Sequence, residues 1–420
     1  MGFQQGLSGL NISSKNLEVI GNNVANANTF GFKSSRAEFS DMYAASLGGA
    51  GNNGIGIGAR ISAVAQQFTQ GNISTTANNL DLAINGDGFF QVQRWDPVNG
   101  SDALAPAGET LYTRNGQFKV DNNGYIVTNQ GRKVLGEGNR PIQLNLTGGS
   151  ANPTQRVTAN INLNAAEITD PPFSATATDW YSFSTTQTVY DVSGEPVALE
   201  YYFRKSDIDS WEIYSYVGNS PLPAEGVPSA TIVFDPATSK PSAMFDAGGN
   251  PITDFRTVPF PTIPAGTASA TQSEINFSVD FSQITQYAGK SNVNALMQDG
   301  FPKGEFSSFN VDATGAILVR YTNGQTVTEA QLVLARFNNA QGLQPVGGNE
   351  WAVTAASGPP QIDAPGSGRF GFLQGGALEE SNVDLTGELV NMIVAQRAYQ
   401  ANAQTIKTED QVLQTLVNLR

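Results

Sequence analysis

Two end segments constrain the fold of this chain more than anything between them. Residues 1–27 and 384–420 carry apolar side chains three and four positions apart, the spacing of an amphipathic helix. In the front segment Leu7, Leu10, Leu17 and Val24 share one heptad seam, which Phe3 extends. In the tail the seam runs Leu385, Leu389, Met392, Tyr399, Ala403, Ile406, Leu413 and Val417, and Val390, Ile393 and Leu416 add a second apolar edge. Such seams are buried against other helices. The front seam is about three turns shorter than the tail seam, and Gly6, Gly9 and Gly21 each weaken it by about 1 kcal/mol. One molecule therefore covers its own stripes only in part, and the surplus asks for neighbouring copies. The expected self-assembly interface is Leu7, Leu10, Leu17, Val24, Leu385, Leu389, Met392, Ile393, Tyr399, Ile406, Leu413, Leu416 and Val417. A helical hairpin closed within one molecule is the competing expectation.

At 420 residues the chain exceeds one core, so two to three domains are expected. A composition 40% hydrophobic, with 44 Gly and 23 Phe, favours strands and tight turns over a helical bundle. Cysteine and histidine are both absent. That excludes a disulfide, a thiolate metal site and a cysteine nucleophile, and it removes the commonest general base and zinc ligand. No cofactor, metal or catalytic residue is expected, and the chain is read as non-enzymatic. Of the net charge of −14, residues 73–377 carry −12, as 16 basic against 28 acidic residues. An acidic body argues against nucleic acid or an anionic membrane as partner, both of which need positive charge. No stretch reaches the roughly 18 apolar residues of a membrane span, and the N-terminus lacks the basic start and apolar run of a signal peptide. The chain is then either cytoplasmic or exported by a route that reads an uncleaved sequence.

The front helix should end near Asn26–Gly31, where Asn-Ala-Asn-Thr-Phe-Gly supplies breakers. Residues 48–58 contain Gly48, Gly49, Gly51, Gly54, Gly56 and Gly58, a composition suited to a hinge or an extended arm. From Leu80 onward short strands are joined by a recurring Asp-x-x-Gly turn, at Asp121, Asp191 and Asp312, with a looser copy at Asp246. Composition shifts at 147–172, 273–300 and 357–367 mark boundaries, and Ser381-Asn-Val-Asp384 reads as a capping-box-like helix start. The fold class expected is α+β and multi-domain: paired N- and C-terminal coiled-coil helices with two nested, mostly antiparallel β-domains. The parts are a terminal helical domain with its linker (1–72 and 379–420), a first β-domain (73–146 and 296–378) and an inserted outer β-domain (147–295).

Several chemical readings give way to plainer ones. Asp121-Asn-Asn-Gly124 and Asp312-Ala-Thr-Gly315 have too few oxygen ligands for calcium, and turn chemistry explains them. The glycines at 54, 56 and 58 match no nucleotide motif. The aromatics Tyr201, Tyr202, Phe203, Trp211, Tyr214 and Tyr216 alternate as core and cross-strand pairs do, although a sugar-stacking surface is the other possibility.

The run from Gly6-Leu-Ser-Gly-Leu10 through Asn22-Asn-Val-Ala-Asn-Ala-Asn-Thr-Phe-Gly-Phe-Lys33 resembles the N-terminal signature of the bacterial flagellar rod and hook axial proteins. The tail from Ser381-Asn-Val-Asp to Tyr399-Gln-Ala-Asn-Ala403 is similar to the signature at the other end of that family, and Leu82-Ala-Ile-Asn-Gly-Asp-Gly-Phe-Phe90 looks like the start of its first β-domain. Phe30 departs from the small polar residue usual there. Length and the inserted middle domain imply the hook branch of the family. The resemblance implies a self-assembling, tubular, bendable polymer that joins rod to filament as a universal joint. It also implies an extracellular location, reached unfolded through the flagellar type III export apparatus without a cleaved signal peptide. The partners implied are further copies of the chain, the hook cap protein, the distal rod protein, the hook–filament junction protein and the length-control protein. The alternatives are a straight, distal-rod-type axial protein and, from a different class, an extracellular β-rich carbohydrate-binding or carbohydrate-active protein.

Overall fold

The computed structural model describes residues 2–42, 58–97, 104–174, 179–267 and 273–418. Among them are two α-helices, α1 (Gly2–Ala25) and α2 (Leu385–Asn418), with strands, turns and two short 3-10 turns between. The chain is thus mostly β, with a helix near each end. It divides into two compact units: residues 1–145, 308–320 and 326–420 form the first, and 146–307 with 321–325 form the second. The second unit runs to 307, beyond the expected 295, because the strand Asn292–Gln298 pairs antiparallel along Arg156–Asn164. Two segments there, Ser278–Asp280 and Thr285–Tyr287, pair with Arg156–Asn164 in parallel, which strand periodicity does not foretell.

In the first unit the chain leaving α1 enters an antiparallel hairpin, Ser35–Met42 with Gly58–Gln66. Further on, Ile73–Thr75 pairs with Ala377–Glu379 and Leu82–Asn85 with Phe372–Gly375, so the segments near both helices are laced to one another. The strand Phe89–Gln93 bonds to Leu111–Thr113, Lys133–Val134 and Leu334–Arg336 within a larger sheet. All five of its residues are buried, as a strand covered on both faces requires. Phe68, Phe89, Tyr112, Phe337 and Trp351 close the core with edge-on rings, Phe89 to Trp351 at 5.7 Å and Tyr112 to Phe337 at 4.8 Å.

The second unit places an antiparallel sheet of seven strands against a five-stranded sheet, with side chains of both in one core. The period-2 rule explains its order. Along Pro196–Asp207, Val197, Leu199, Tyr201, Phe203 and Lys205 are buried and their neighbours are not. Tyr201, Phe203 and Trp211 therefore face the core, while Tyr202, Tyr214 and Tyr216 stand on the other face beside Phe173, Trp180 and Tyr181. Trp211 donates its Nε1–H to Gln286 Oε1 at 3.2 Å, so its one polar group is satisfied inside. This unit holds 7 basic and 17 acidic residues and so carries −10 of the net charge.

The Asp-x-x-Gly turns share one chemistry. Asp121 Oδ1 accepts the backbone N–H groups of Asn123 and Tyr125, and Asp312 Oδ1 those of Thr314 and Ala316. Asp246 Oδ1 accepts Gly248 and Asn250, and those bonds, the Asn250 side chain first, hold its carboxyl below the usual range. The carboxylates serve their own turns. Phe203 is fully buried, so Phe203→Ala should destabilise the second unit by about 3–5 kcal/mol, read as an earlier urea transition in tryptophan fluorescence.

Candidate functional site: the helix pair and its polar root

The helices α1 and α2 run antiparallel, since Gly6 lies by Ile406, Gly9 by Asn402, and Asn23 by Glu388. A Cβ on Gly9 would stand 2.7 Å from Asn402 Oδ1, and one on Gly6 would stand 2.9 Å from Ile406 Cγ1. Two of the glycines that weaken α1 as an isolated helix are therefore where α2 approaches; Gly21 has no neighbour within 4 Å. The buried side of α1 carries Gly6, Ser13, Ile20 and Asn23, and α2 buries Ala395. The contact within the molecule is made largely by small and polar residues.

Of the expected seam, Ile406 meets α1 at Gly6, and most of the rest lies elsewhere. Leu7, Leu385, Leu389, Ile393 and Leu413 are each 45–52% exposed, and Tyr399 is exposed as well. Leu10, Leu17, Val24, Met392 and Ile406 are half-buried. Exposed Val390, Val394 and Val412 widen the α2 stripe. The side chains of Leu416 and Val417 lie outside the described residues, as do Gly48, Gly49, Gly51, Gly54 and Gly56. Gly58 is described: it opens the strand Gly58–Gln66 at φ +131° and sits against Ser8 of α1. An open groove of about 460 Å³ runs between α1, the hairpin and α2, lined in part by Ile12, Val19, Ile20, Val394 and Ala395.

At the base of the pair, four chain segments are stapled by polar side chains. Asn23 Nδ2 donates to Ser35 O at 2.8 Å while Asn23 Oδ1 accepts Ser35 N–H at 2.9 Å, so one amide completes the backbone of the residue that starts the hairpin. Asn382 Oδ1 accepts Ser34 N–H at 2.7 Å, and its Nδ2 donates to Gln67 O at 2.7 Å and Thr69 Oγ1 at 2.8 Å. Helix α2 starts on Asp384, whose Oδ1 accepts Thr386 N–H at 3.1 Å, an ordinary N-cap. The capping box expected over 381–384 thus reduces to Asp384 alone, because the helix begins at Leu385 and Ser381 Oγ accepts Val383 N–H at 3.3 Å instead of the N–H of residue 384.

Beneath this layer lies a buried ion cluster. Lys33 Nζ donates to Glu379 Oε1 at 2.6 Å and to Thr69 O at 2.7 Å. Arg114 reaches Glu379 Oε2 at 3.2 Å through Nη1 and Gly86 O at 2.9 Å through Nη2, with its guanidinium over the Phe89 ring. The side chains of Lys33 and Glu379 are wholly buried and that of Arg114 nearly so. Burial pushes the Lys33 ammonium down from its ordinary value, and Glu379 opposes that push. Gly31 at φ +70° brings its N–H to Glu379 O at 2.8 Å, in a place where a Cβ would lie 2.5 Å from Asn115 N. Helical periodicity could not reveal Ile20, Asn23, Glu379 or Asn382. The one signal was that the signature runs are dense in Asn, which a helix neither needs nor favours.

The fold and site together define a structural protein whose helical ends are bolted to a β-body and whose apolar stripe faces outward. Family models match along the chain: "Flagella basal body rod protein" at 3–33, "Flagellar hook protein FlgE/F/G D1 domain" at 83–169, "Flagellar basal body protein FlaE D2 domain" at 160–301 and "Flagellar basal body rod FlgEFG protein C-terminal" at 374–419. The flagellar hook protein FlgE of Salmonella typhimurium is 38% identical, and that of Escherichia coli K12 36%, each with both chains covered in full. A crystal structure of the Helicobacter pylori flagellar hook protein FlgE2 shares the fold at a TM-score of 0.51 and 16% identity, covering 72% of this chain and 99% of that one. The chain belongs to the flagellar hook protein family. It is a structural subunit of the hook, and neither the rod-type nor the carbohydrate-active reading is favoured.

Replacing Asn23 by Ala leaves both backbone groups of Ser35 without their side-chain partner. The expected loss is about 1–3 kcal/mol, with faster amide exchange at Ser35 and little change in the second unit.

Proposed function

We propose that the terminal helices of many copies line an inner tube, and that the tube forms because each copy leaves an apolar stripe uncovered. The observation that carries this is the α2 stripe: Leu385, Leu389, Val390, Ile393 and Val394 are all 46–61% exposed while α1 occupies a different face. An exposed run of large apolar side chains on one helix is an association surface. Heterologous contacts between copies produce a helical filament when the rotation does not close. In this reading the helices pair as coiled coils with those of neighbours, through the thirteen residues named above as the interface.

The division of labour is radial. The helical part (1–72 and 379–420) forms the inner layer, the first β-domain the middle, and the inserted β-domain the outside. The acidic second unit keeps crowded copies soluble, and its polar, water-bridged contacts re-form at little cost as the tube bends. The assembly works as a universal joint carrying torque from rod to filament outside the cell. The hook cap, distal rod, junction and length-control proteins and the type III export apparatus are its partners, and it performs no catalysis.

The full chain carrying Leu389→Asp and Ile393→Asp should sediment as a monomer at concentrations where the unsubstituted chain forms tubes visible by electron microscopy. Tubes of ordinary number and length from that variant would overturn the reading. Because the second units repel, raising salt from about 0.01 to 0.15 M, which shortens the screening length from roughly 30 to 8 Å, should promote assembly, measured by light scattering.

A further inference from the structure

Each helix joins the β-body of its unit through a thin strip of backbone, residues 26–34 at one end and 380–384 at the other. Along the backbone, force on either helix crosses those strips, while the packing of α1 on the hairpin supplies a second, non-covalent route. Glu379 is where the strips meet the body. Its carboxylate takes Lys33 from the first strip, the Gly71 N–H at 3.0 Å from the returning hairpin, and Arg114 from the body, while its own carbonyl takes Gly31 N–H. Arg114 passes the connection on to Gly86. Close approach is built in, since a Cβ on Gly71 would collide with Glu380 O.

Stability alone is a weak reason for such a cluster. Two cations and one carboxylate are withdrawn from water, and well-packed apolar residues of the same volume often serve a core as well or better. What an ion cluster does that apolar packing does not is resist sliding. Hydrophobic contact is non-directional, whereas hydrogen bonds weaken steeply once bent or stretched.

We propose that Glu379, held between Lys33 and Arg114, is the positioning residue through which load on the terminal helices reaches the β-body. It fixes the exit of both helices relative to Arg114, so that a subunit passes force on without shearing at its root. The proposal rests on the reading of the chain as a torque-bearing hook subunit.

The test places the full chain, unsubstituted or carrying Glu379→Gln, Lys33→Met or Arg114→Lys, in cells lacking their own hook subunit. Hooks are counted by electron microscopy, and rotation is scored at low and high external viscosity. In the purified chains, amide exchange is followed at Gly31 and Gly71 and, as a control, in the strands Phe89–Gln93 and Leu111–Thr113. With Glu379→Gln, hooks should form and cells swim normally at low viscosity. The fraction still rotating at high viscosity should fall about tenfold, and Gly31 and Gly71 should exchange about tenfold faster while the strands stay protected. Faster exchange at Gly31 and Gly71 with undiminished rotation at high viscosity overturns the proposal, as does equal loss at both viscosities with the strands intact. If Glu379→Gln exposes the strands and has simply not folded, Arg114→Lys decides. It keeps a cation on Glu379 but gives up the fork to Gly86, so a load-specific loss supports the proposal and ordinary load tolerance overturns it. Failure of the unsubstituted chain to build hooks at all strikes at the hook reading, and removes the proposal with it.

Discussion

One buried carboxylate joins segments of the first unit that are far apart in sequence. Glu379 is 346 residues from Lys33 in sequence, yet the two side chains meet at 2.6 Å in a site closed to water. The exit of α1, the return of the hairpin and the entry to α2 are all referred to that point. Above it, Asn23 and Asn382 use both ends of their amides to satisfy backbone groups that would otherwise be buried without partners. The antiparallel approach of the helices follows from these anchors, because both are tied at one end, and the small residues at 6 and 9 let them close.

That arrangement separates two tasks along α1 and α2. The face turned inward is small and polar and makes a contact of modest hydrophobic content. The outward face of α2 keeps Leu385, Leu389, Val390, Ile393 and Val394. A helix hairpin that buried its leucines internally would be more stable as a monomer and would have nothing to offer a neighbour. The second unit carries −10 of the net charge, the same sign on every copy.

Much of the fold was readable from local pattern. The two helices follow from apolar spacing, and the Asp121, Asp191, Asp246 and Asp312 turns follow from aspartate followed three residues later by glycine. The alternation along Pro196–Asp207 follows from the period of a strand. The candidate site was readable in part. The seam leucines were visible as a pattern, whereas the partner of each side of the helix was not. Periodicity says that a face is apolar and is silent on which neighbour covers it. Gly6 and Gly9 looked like defects because the residues that approach them, Ile406 and Asn402, are some 400 positions away.

The amino-acid order by itself determined what is local and repetitive, namely helical ends, short strands and turn chemistry, together with the uneven charge and the lack of cysteine and histidine. The elements and turns depend on neighbours within a few positions, where backbone geometry is decided. Tertiary structure alone decided that Lys33, Arg114 and Glu379 share one enclosed site, that Asn23 and Asn382 act as staples, and that Leu7, Leu385, Leu389 and Leu413 stay exposed beside the helix pairing. Those outcomes depend on which distant segments arrive together, and a chain read in order carries no record of distance in space.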